Sequence, residues 1–176
     1  MLTGVFTALP TPFSSDGSLD TAHLIKLINA QLRAGVHGVV LLGTTAETPT
    51  LTEKEKKLIL DTCVPLLKGK VQIIIGAGTN DTLSTVENVK TAAHYKPDAA
   101  LVVTPYYNKP NPSGLIAHFK AAAEVGVPLV MYHIPGRTGL ISHIVLPGVI
   151  VIVLDHGPEF QCHGLCEAVV YIVERT

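Results

Sequence analysis

Residues 71–103 read VQIIIGAGTNDTLSTVENVKTAAHYKPDAALVV, and this stretch decides the fold. Val71–Ile75 and Ala99–Val103 are short apolar runs, typical of strands that are buried on both faces of a sheet. Between them, Thr82–His94 has the spacing of an amphipathic helix. A strand, a helix and a second strand in this order predict a βαβ unit with parallel strands.

The same alternation continues on both sides of this unit. It predicts three further strands and three further helices, at Val5–Ala8, Gly38–Leu42 and Pro128–Tyr132 and at Thr21–Ala34, Glu53–Leu67 and Ser113–Glu124. Thr52 with Glu55 and Ser84 with Glu87 have the spacing of capping boxes at the starts of two helices. The chain is therefore predicted to be an α/β protein with a parallel sheet.

The spacing of the strands narrows the architecture without fixing it. Strands start near residues 5, 38, 71, 99 and 128, so each unit takes about 28–33 residues. Eight such units need about 250 residues, the usual size of a (β/α)8 barrel, whereas this chain has 176 residues. An open doubly wound sheet and a shortened barrel both fit, and spacing alone does not choose between them.

The pattern changes after Leu140. A Pro-Gly pair breaks the next helical segment early, Val149–Leu154 is predicted as a strand, and Leu165–Val173 is predicted as a short helix. We therefore divide the chain into a partial α/β domain, residues 1–140, and a divergent tail, residues 141–176.

Composition excludes several classes of protein. Apolar residues make up 47% of the chain, which excludes disorder. The 13 basic and 14 acidic residues are spread without long runs of either sign, so no basic patch for nucleic acid stands out. The three cysteines give no disulfide framework, and the N-terminus lacks the layout of a signal peptide. The longest near-apolar stretch, Ile144–Leu154, is shorter than the about 20 residues of a membrane span. We expect a cytoplasmic protein with no membrane partner.

Polar side chains follow three of the predicted strands at their carboxyl ends, where parallel α/β folds bind ligands. Gly43–Glu47 carries two adjacent threonines, Thr104–Asn108 carries two tyrosines, and Tyr132 precedes His133–Gly139. Hydrogen-bonded tyrosines and threonines can relay protons, and the guanidinium of Arg137 suits a bidentate grip on a carboxylate. Turn capping explains one such set, but three sets at the same end of the strands favour a binding site.

Two other groups of residues are weaker candidates. Gly76–Asn80 follows a strand, but it lacks both the third glycine of a dinucleotide site and a Walker lysine, so it favours a tight turn. The tail contains residue types that bind zinc, namely His156, Cys162, His163 and Cys166. Their spacing is not that of a zinc finger, and no metal site is predicted. The helical histidines are interpreted as surface or packing residues: His23, His94 and His118.

Four segments carry a resemblance to a known family: Thr11-Pro12-Phe13, Gly43–Glu47, Thr104–Asn108 and Tyr132–Gly139. In this order and spacing they resemble the dihydrodipicolinate synthases, Schiff-base aldolases related to N-acetylneuraminate lyase. The resemblance covers residues 1–140, and the Gly-Arg-Thr-Gly segment favours a synthase over a sialic acid lyase. It implies a (β/α)8 TIM barrel, here shortened to about five or six βα units.

The resemblance also implies a lyase activity. In this family pyruvate forms a Schiff base with a lysine, becomes an enamine and attacks aspartate semialdehyde, in the biosynthesis of diaminopimelate and lysine. The implied small-molecule partners are these two substrates. No cofactor or metal is implied, and the implied assembly is a homotetramer.

Five residues take roles from the resemblance. Tyr132 matches the tyrosine that transfers protons, with Thr44 and Tyr107 as its relay partners. Tyr107 is expected to reach into the site of a neighbouring subunit. Thr45 matches the threonine that holds the pyruvate carboxylate, and Arg137 matches the arginine that receives the carboxylate of the second substrate.

Three departures from the family pattern matter. Ala46 and His133 stand where the family usually has glycine and asparagine, and Ala46 would strain the turn if its φ were positive. The Schiff-base lysine is expected in the window Pro158–Cys162, but no lysine follows Lys120. Hydroxyl and thiol groups do not replace an amine in imine chemistry. The chain is therefore expected to be inactive, and the alternative is a non-catalytic fragment or pseudoenzyme that acts by association with another chain.

Overall fold

The computed structural model of the chain describes residues 2–139, 150–153 and 169–172. They belong to two compact units, divided between Gly76 and Ala77. The first unit also includes the strand at residues 169–172, and the second includes the strand at residues 150–153. The division of the sequence at residue 140 stays a prediction.

The regular elements follow the predicted alternation of strands and helices. In chain order they are β1 Gly4–Ala8, α1 Thr21–Ala34, β2 Gly38–Leu41, α2 Glu53–Leu67, β3 Gln72–Gly76, α3 Thr82–Ala93, β4 Ala99–Val103, α4 Pro112–Ala123, β5 Leu129–His133, α5 Pro135–Thr138, β6 Ile150–Val153 and β7 Val169–Ile172. The five predicted strands and four predicted helices of the first 140 residues are all present, with ends within one residue or so of the prediction.

The first unit has the strand order β7-β1-β2-β3. β1, β2 and β3 are parallel, with Phe6 paired to Gly38 and Val39 paired to Ile73, whereas β7 runs antiparallel to β1. α1 and α2 pack against each other, and the side chains of Leu24 and Ile28 on α1 are buried. The apolar runs of β1 to β3 are thus covered as the sequence predicts.

The second unit has the strand order β4-β5-β6, and all three strands are parallel. Its core is built where α3 and α4 meet the strands, and it contains Val89, Val102, Leu115, Phe119 and Met131. Phe119, which has no exposed surface, anchors α4 in this core. The βα order and parallel pairing are again those predicted from the sequence.

Helix starts are fixed by side-chain caps. The Thr52–Glu55 capping box is confirmed, because Glu55 N–H donates to Thr52 Oγ1 and Thr52 N–H donates to Glu55 Oε2. The predicted Ser84–Glu87 box is wrong: α3 begins at Thr82, as the helical spacing predicts, and Asp81 is its N-cap, accepting from Ser84 N–H at 2.7 Å. An aspartate caps a helix as well as a serine does, and sequence spacing did not separate the two.

The tail agrees with the prediction at one place and differs at another. The predicted strand at residues 149–154 is present as β6. The predicted helix at residues 165–173 is wrong, because Val169–Ile172 forms strand β7. Three of these four residues are β-branched, a composition that favours a strand. The zinc-type residues of the tail lie outside the described residues.

The described residues contain neither a membrane-spanning helix nor a cluster of metal ligands. In residues 2–139, 150–153 and 169–172 no helix combines the length and apolar character needed to cross a membrane. The same ranges contain no group of three or more metal-ligating side chains.

Candidate active site

In the first unit the two threonines follow β2 on a short 3-10 turn. Thr44–Ala46 forms this turn, in which Glu47 N–H donates to the Thr44 carbonyl at 3.1 Å. Thr44 is exposed and Thr45 is half-buried. The turn is entered through Leu42, a non-glycine residue with φ of 54°. Positive φ is uncommon outside glycine and marks a constrained backbone.

The expected strain at Ala46 does not occur. Ala46 lies in the 3-10 turn and is not among the residues with positive φ, whereas Leu42 and Glu47 on either side are. Ala46 is buried, and its carbonyl accepts a hydrogen bond from Thr11 Oγ1 at 2.8 Å. Thr11, from the first family segment, therefore holds the Thr44–Ala46 turn in place.

In the second unit the ends of β4 and β5 bring a buried polar pair together. Thr104 N–H donates to the Tyr132 carbonyl at 2.8 Å, and Thr104 Oγ1 lies 3.2 Å from His133 Nδ1. Thr104, Tyr132 and His133 are all buried. The predicted proton-transfer residue, Tyr132, is thus fixed in place by neighbours on both strands.

The loop after β4 carries Tyr107 away from this buried group. Tyr107 is 89% exposed and has a φ of 72°, while Tyr132 is 9% exposed. The loop is tied down by Asn108, whose Nδ2 donates to the Asn80 carbonyl at 2.8 Å. The expected contact of Tyr107 with another subunit stays a prediction.

The segment after β5 begins with α5. Arg137 lies in this short helix, and Thr138 closes it by donating from Oγ1 to the Ile134 carbonyl at 3.0 Å. Gly139 follows with φ of 65°, and a β-carbon there would lie 2.9 Å from Lys109 Cε. Glycine at this position therefore allows the Lys109 side chain to lie over the end of the segment.

The glycine-rich turn before α3 does not offer a phosphate site. Thr79 N–H donates to Thr85 Oγ1 at 2.9 Å, and Asp81 caps the helix. Hydrogen bonds from the Ser84 side chain and backbone lower the pKa of Asp81, so a carboxylate stands where a phosphate would bind. The turn serves the strand-to-helix connection that its sequence favours.

The predicted site residues divide between the two units. Thr44 and Thr45 lie in the first, and Tyr107, Tyr132 and Arg137 lie in the second. The hydrogen-bonded relay through Thr44, Tyr132 and Tyr107 stays a prediction.

Sequence reasoning missed the Thr104–His133 pair and the position of Lys109 over Gly139. A signal for the pair was present, because Thr104 and His133 each directly follow the predicted strand, 29 residues apart.

Comparison with known proteins gives consistent matches over the first four-fifths of the chain. The profile of the Dihydrodipicolinate synthetase family matches residues 1–145. The 4-hydroxy-tetrahydrodipicolinate synthase of Exiguobacterium sibiricum is 47% identical over 141 residues, which are 80% of this chain and 48% of the relative. That of Parabacteroides distasonis is 48% identical over 140 residues, or 79% of this chain and 47% of the relative.

Solved structures agree with this result. A chloride-inhibited dihydrodipicolinate synthase from Acinetobacter baumannii, complexed with pyruvate, matches with a TM-score of 0.77 and 39% identity over 79% of this chain and 48% of that chain. The Thermotoga maritima dihydrodipicolinate synthase matches with a TM-score of 0.76 and 43% identity over 79% of this chain and 47% of that chain. This chain therefore spans about half the length of the relatives it matches.

These likenesses choose between the two architectures that the strand spacing allowed. The chain is an α/β protein of the (β/α)8 TIM-barrel family, and residues 2–139 contain five parallel strands of such a barrel with their helices. The family profile covers well over half of the chain, and each of the four sequence segments falls within it. On these grounds the chain belongs to the dihydrodipicolinate synthetase family.

Proposed function

We propose that the chain is the substrate-binding and proton-transfer half of a 4-hydroxy-tetrahydrodipicolinate synthase. The substrates would be pyruvate and aspartate semialdehyde, joined through a Schiff base on the route to diaminopimelate and lysine. The observation that carries the proposal is the family match over residues 1–145, which contains all five predicted site residues. Pyruvate is also the ligand of the similar Acinetobacter structure.

In this proposal Tyr132 transfers protons, with Thr44 and Tyr107 as relay partners. A tyrosine has a pKa of about 10, so at neutral pH it acts by passing a proton along hydrogen bonds and not as a free base. The buried position of Tyr132 near the end of β5 supports this role, because the hydrogen bond from Thr104 N–H to its carbonyl fixes its backbone there. The exposure of Tyr107 supports a role in the site of another subunit.

Two residues would bind the carboxylates of the substrates. Thr45, half-buried in the turn after β2, would hold the carboxylate of pyruvate by its hydroxyl and amide groups. Arg137 would receive the carboxylate of aspartate semialdehyde, since a guanidinium suits bidentate binding of that group.

The nucleophile for the Schiff base is not among these residues. Imine formation needs a free amine that attacks the pyruvate carbonyl, with loss of one water. The last lysine of the sequence is Lys120, on the exposed side of α4. We therefore propose that these 176 residues alone do not catalyse the condensation, and that an active site requires an amine from another stretch of chain.

The second candidate follows from the same observation. The chain would then be a non-catalytic partner that acts by association, with itself or with a complete homotetrameric synthase. We place either form in the cytoplasm, supported by the buried Cys63, which is a free thiol. The partial domain of residues 1–140 would carry this function, and residues 141–176 would be a divergent tail.

Trapping with pyruvate and sodium borohydride, read by mass spectrometry, tests the proposal. We expect no pyruvate adduct on this chain, while the Thermotoga maritima synthase, treated in parallel, is modified. An adduct at one residue of this chain, with turnover, would overturn the proposed inactivity.

A complementation experiment tests the roles. The chain is mixed with the second half of a related synthase, which supplies the lysine, and condensation is measured. We expect activity that falls about 10²- to 10⁴-fold in Tyr132→Phe. Restored activity that does not depend on Tyr132 would disprove its role, and no restoration would favour the non-catalytic alternative.

A further inference from the structure

A buried histidine joins two helices of the second unit. His118 lies on α4, is 3% exposed, and its Nδ1 lies 2.9 Å from Oγ1 of Thr82, the first residue of α3. Its ring meets the ring of Phe119 edge to face, with centroids 5.4 Å apart. The sequence interpretation of His118 as a packing residue holds, but packing does not account for both of its nitrogens.

The second ring nitrogen of His118 has no hydrogen-bond partner among the described residues. Nε2 is buried, and neither a side chain nor a backbone group of the described chain bonds to it. In the neutral ring Nδ1 bonds to the Thr82 hydroxyl in either tautomer, and only Nε2 is left without a partner. The imidazolium form carries a proton on both nitrogens, so it would add a charge and leave a buried N–H donor without an acceptor.

The charges around His118 do not compensate for this. Burial lowers the pKa of His118, and the carboxylate of Asp81 opposes that shift only in part. The other charged or titratable side chains on α4 and on the helix and strand that pack against it are Glu87, Lys90, Lys120, Tyr132 and His133. Glu87 and Lys90 pair with each other on the exposed face of α3, Lys120 is exposed, and the ring of His133 bonds to Thr104.

The start of α3 is connected to the tyrosine loop. Asp81 caps α3 by accepting from Ser84 N–H, and the preceding residue, Asn80, accepts from Asn108 Nδ2 at 2.8 Å. Asn108 directly follows the exposed Tyr107. Thr82, which contacts His118, is therefore only two residues from Asn80, which bonds to the tyrosine loop.

We propose that the hydrogen bond between His118 and Thr82 holds the N-terminal end of α3 against α4 in a pH-dependent way. Protonation of His118 breaks this bond and allows the first residues of α3 and the loop Tyr106–Asn108 to open. The neutral ring is compatible with the buried position, and the charged ring is not. This hydrogen bond belongs to the fold of the second unit. It does not depend on whether the chain takes part in imine chemistry.

The direction of the pH effect follows from linkage. When the pKa of a histidine is lower in the folded state than in the unfolded state, the folded state has its full stability at any pH above the unfolded-state pKa, about 6.5. As the pH falls through that value the open state binds a proton that the closed state does not, so opening becomes more favourable. For one such group the opening constant rises up to about tenfold per pH unit, until the folded-state pKa is reached.

Hydrogen exchange of the full chain, resolved by residue with NMR between pH 7.5 and 5.5, tests the proposal. After correction for intrinsic exchange rates, we expect the opening constants of the Ser84, Thr85 and Asn108 amides to rise together by up to about tenfold per pH unit below 6.5. His118→Gln, which cannot be protonated, should remove this dependence. The control His94→Gln, an exposed histidine at the end of α3, should keep it.

Two results would overturn the proposal. One is the same steep dependence in His118→Gln as in the unaltered chain, and the other is no dependence in the unaltered chain. If His118→Gln does not fold, the ¹⁵N resonances of the His118 ring in the unaltered chain decide the question. Titration below pH 6.5 supports the proposal, and titration at or above that value, which is typical of an unfolded histidine, disproves it.

Discussion

The carbonyl group of Leu42 lies against the α-carbon of Gly76, so closely that a β-carbon on Gly76 would overlap the Leu42 oxygen. Leu42 begins the turn that carries Thr44 and Thr45, and Gly76 ends β3. The absence of a side chain at Gly76 thus allows the backbone of Leu42 to pass close to β3.

We expect Gly76→Ala to destabilise the chain by about 1–3 kcal/mol, because the overlap is with backbone and no side-chain rotation relieves it. Denaturant unfolding followed by circular dichroism measures the change. Gly136→Ala is the control, since a β-carbon at Gly136 meets nothing within 4 Å. Equal stability of the two variants would contradict the prediction.

The capping box at the start of α2 gives a second prediction. Replacing Thr52 by alanine removes the acceptor for Glu55 N–H and should cost about 1 kcal/mol of unfolding free energy. The matched control is Thr62→Ala in the same helix, where the exposed hydroxyl bonds only back to the Leu58 carbonyl. That change should leave stability unaltered or slightly raised, as alanine favours helix. A neutral Thr52→Ala would show that α2 does not need its cap.

The buried hydrogen bond between Thr104 and His133 gives a third prediction. Thr104→Val removes the hydroxyl that lies 3.2 Å from His133 Nδ1 and should cost about 1 kcal/mol or more. Thr104→Ser keeps the hydroxyl and should retain most of the stability. Thermal melting of both variants at pH 7.5 measures the difference. A valine variant as stable as the serine variant would mean that the bond contributes nothing.

A fourth prediction concerns Cys63. Burial raises the pKa of its thiol to about 12, so almost no thiolate forms at pH 8. In the native chain Cys63 should not react with iodoacetamide at that pH, as read by mass spectrometry of its peptide. Labelling after unfolding in urea supplies the positive control. Rapid labelling without denaturant would show that α2 opens readily.

A fifth concerns self-association. We expect the isolated chain to be weakly stable and prone to associate, because only part of a barrel is present and unpaired strand edges attract other strands. In the first unit β7 pairs with β1. Deleting residues 167–176 should therefore increase association, measured by size-exclusion chromatography with light scattering at several concentrations. A control that lacks only residues 173–176 keeps β7, and equal association of the two would contradict a role for this strand.

Much of the fold could be predicted from the sequence, because strongly apolar strands and amphipathic helices have different periods. Val71–Ile75 and Ala99–Val103 were found within a residue or so of their observed positions. The start of α3 at Thr82 was predicted correctly, but its N-cap was not, since Asp81 and Ser84 are both good N-caps and only the backbone geometry decides between them.

The tail and the site were predicted less well, for physical reasons. A segment such as Val169–Ile172 pairs with β1 from far along the chain, and local pattern holds no information on such a partner. The candidate site residues come from strand ends and a family resemblance and stay a prediction, although Tyr132 does lie in the last two residues of β5 as expected. The Thr104–His133 bond was missed, because a hydrogen bond across strands depends on register.

The antiparallel pairing of β7 with β1 also has a consequence for how the chain folds in time. β1, β2 and β3 follow one another along the chain, and each pairing, such as Phe6 with Gly38, closes a connection of one helix and its loops. The contacts of β1 with β7 close a loop that contains almost the whole chain, from Gly4 to Ile172. Non-local pairings of this kind raise the contact order and form slowly. During synthesis the outer edge of β1 therefore stays without its partner until residues 169–172 have been made. Until then this edge is open to chaperones and to other nascent chains.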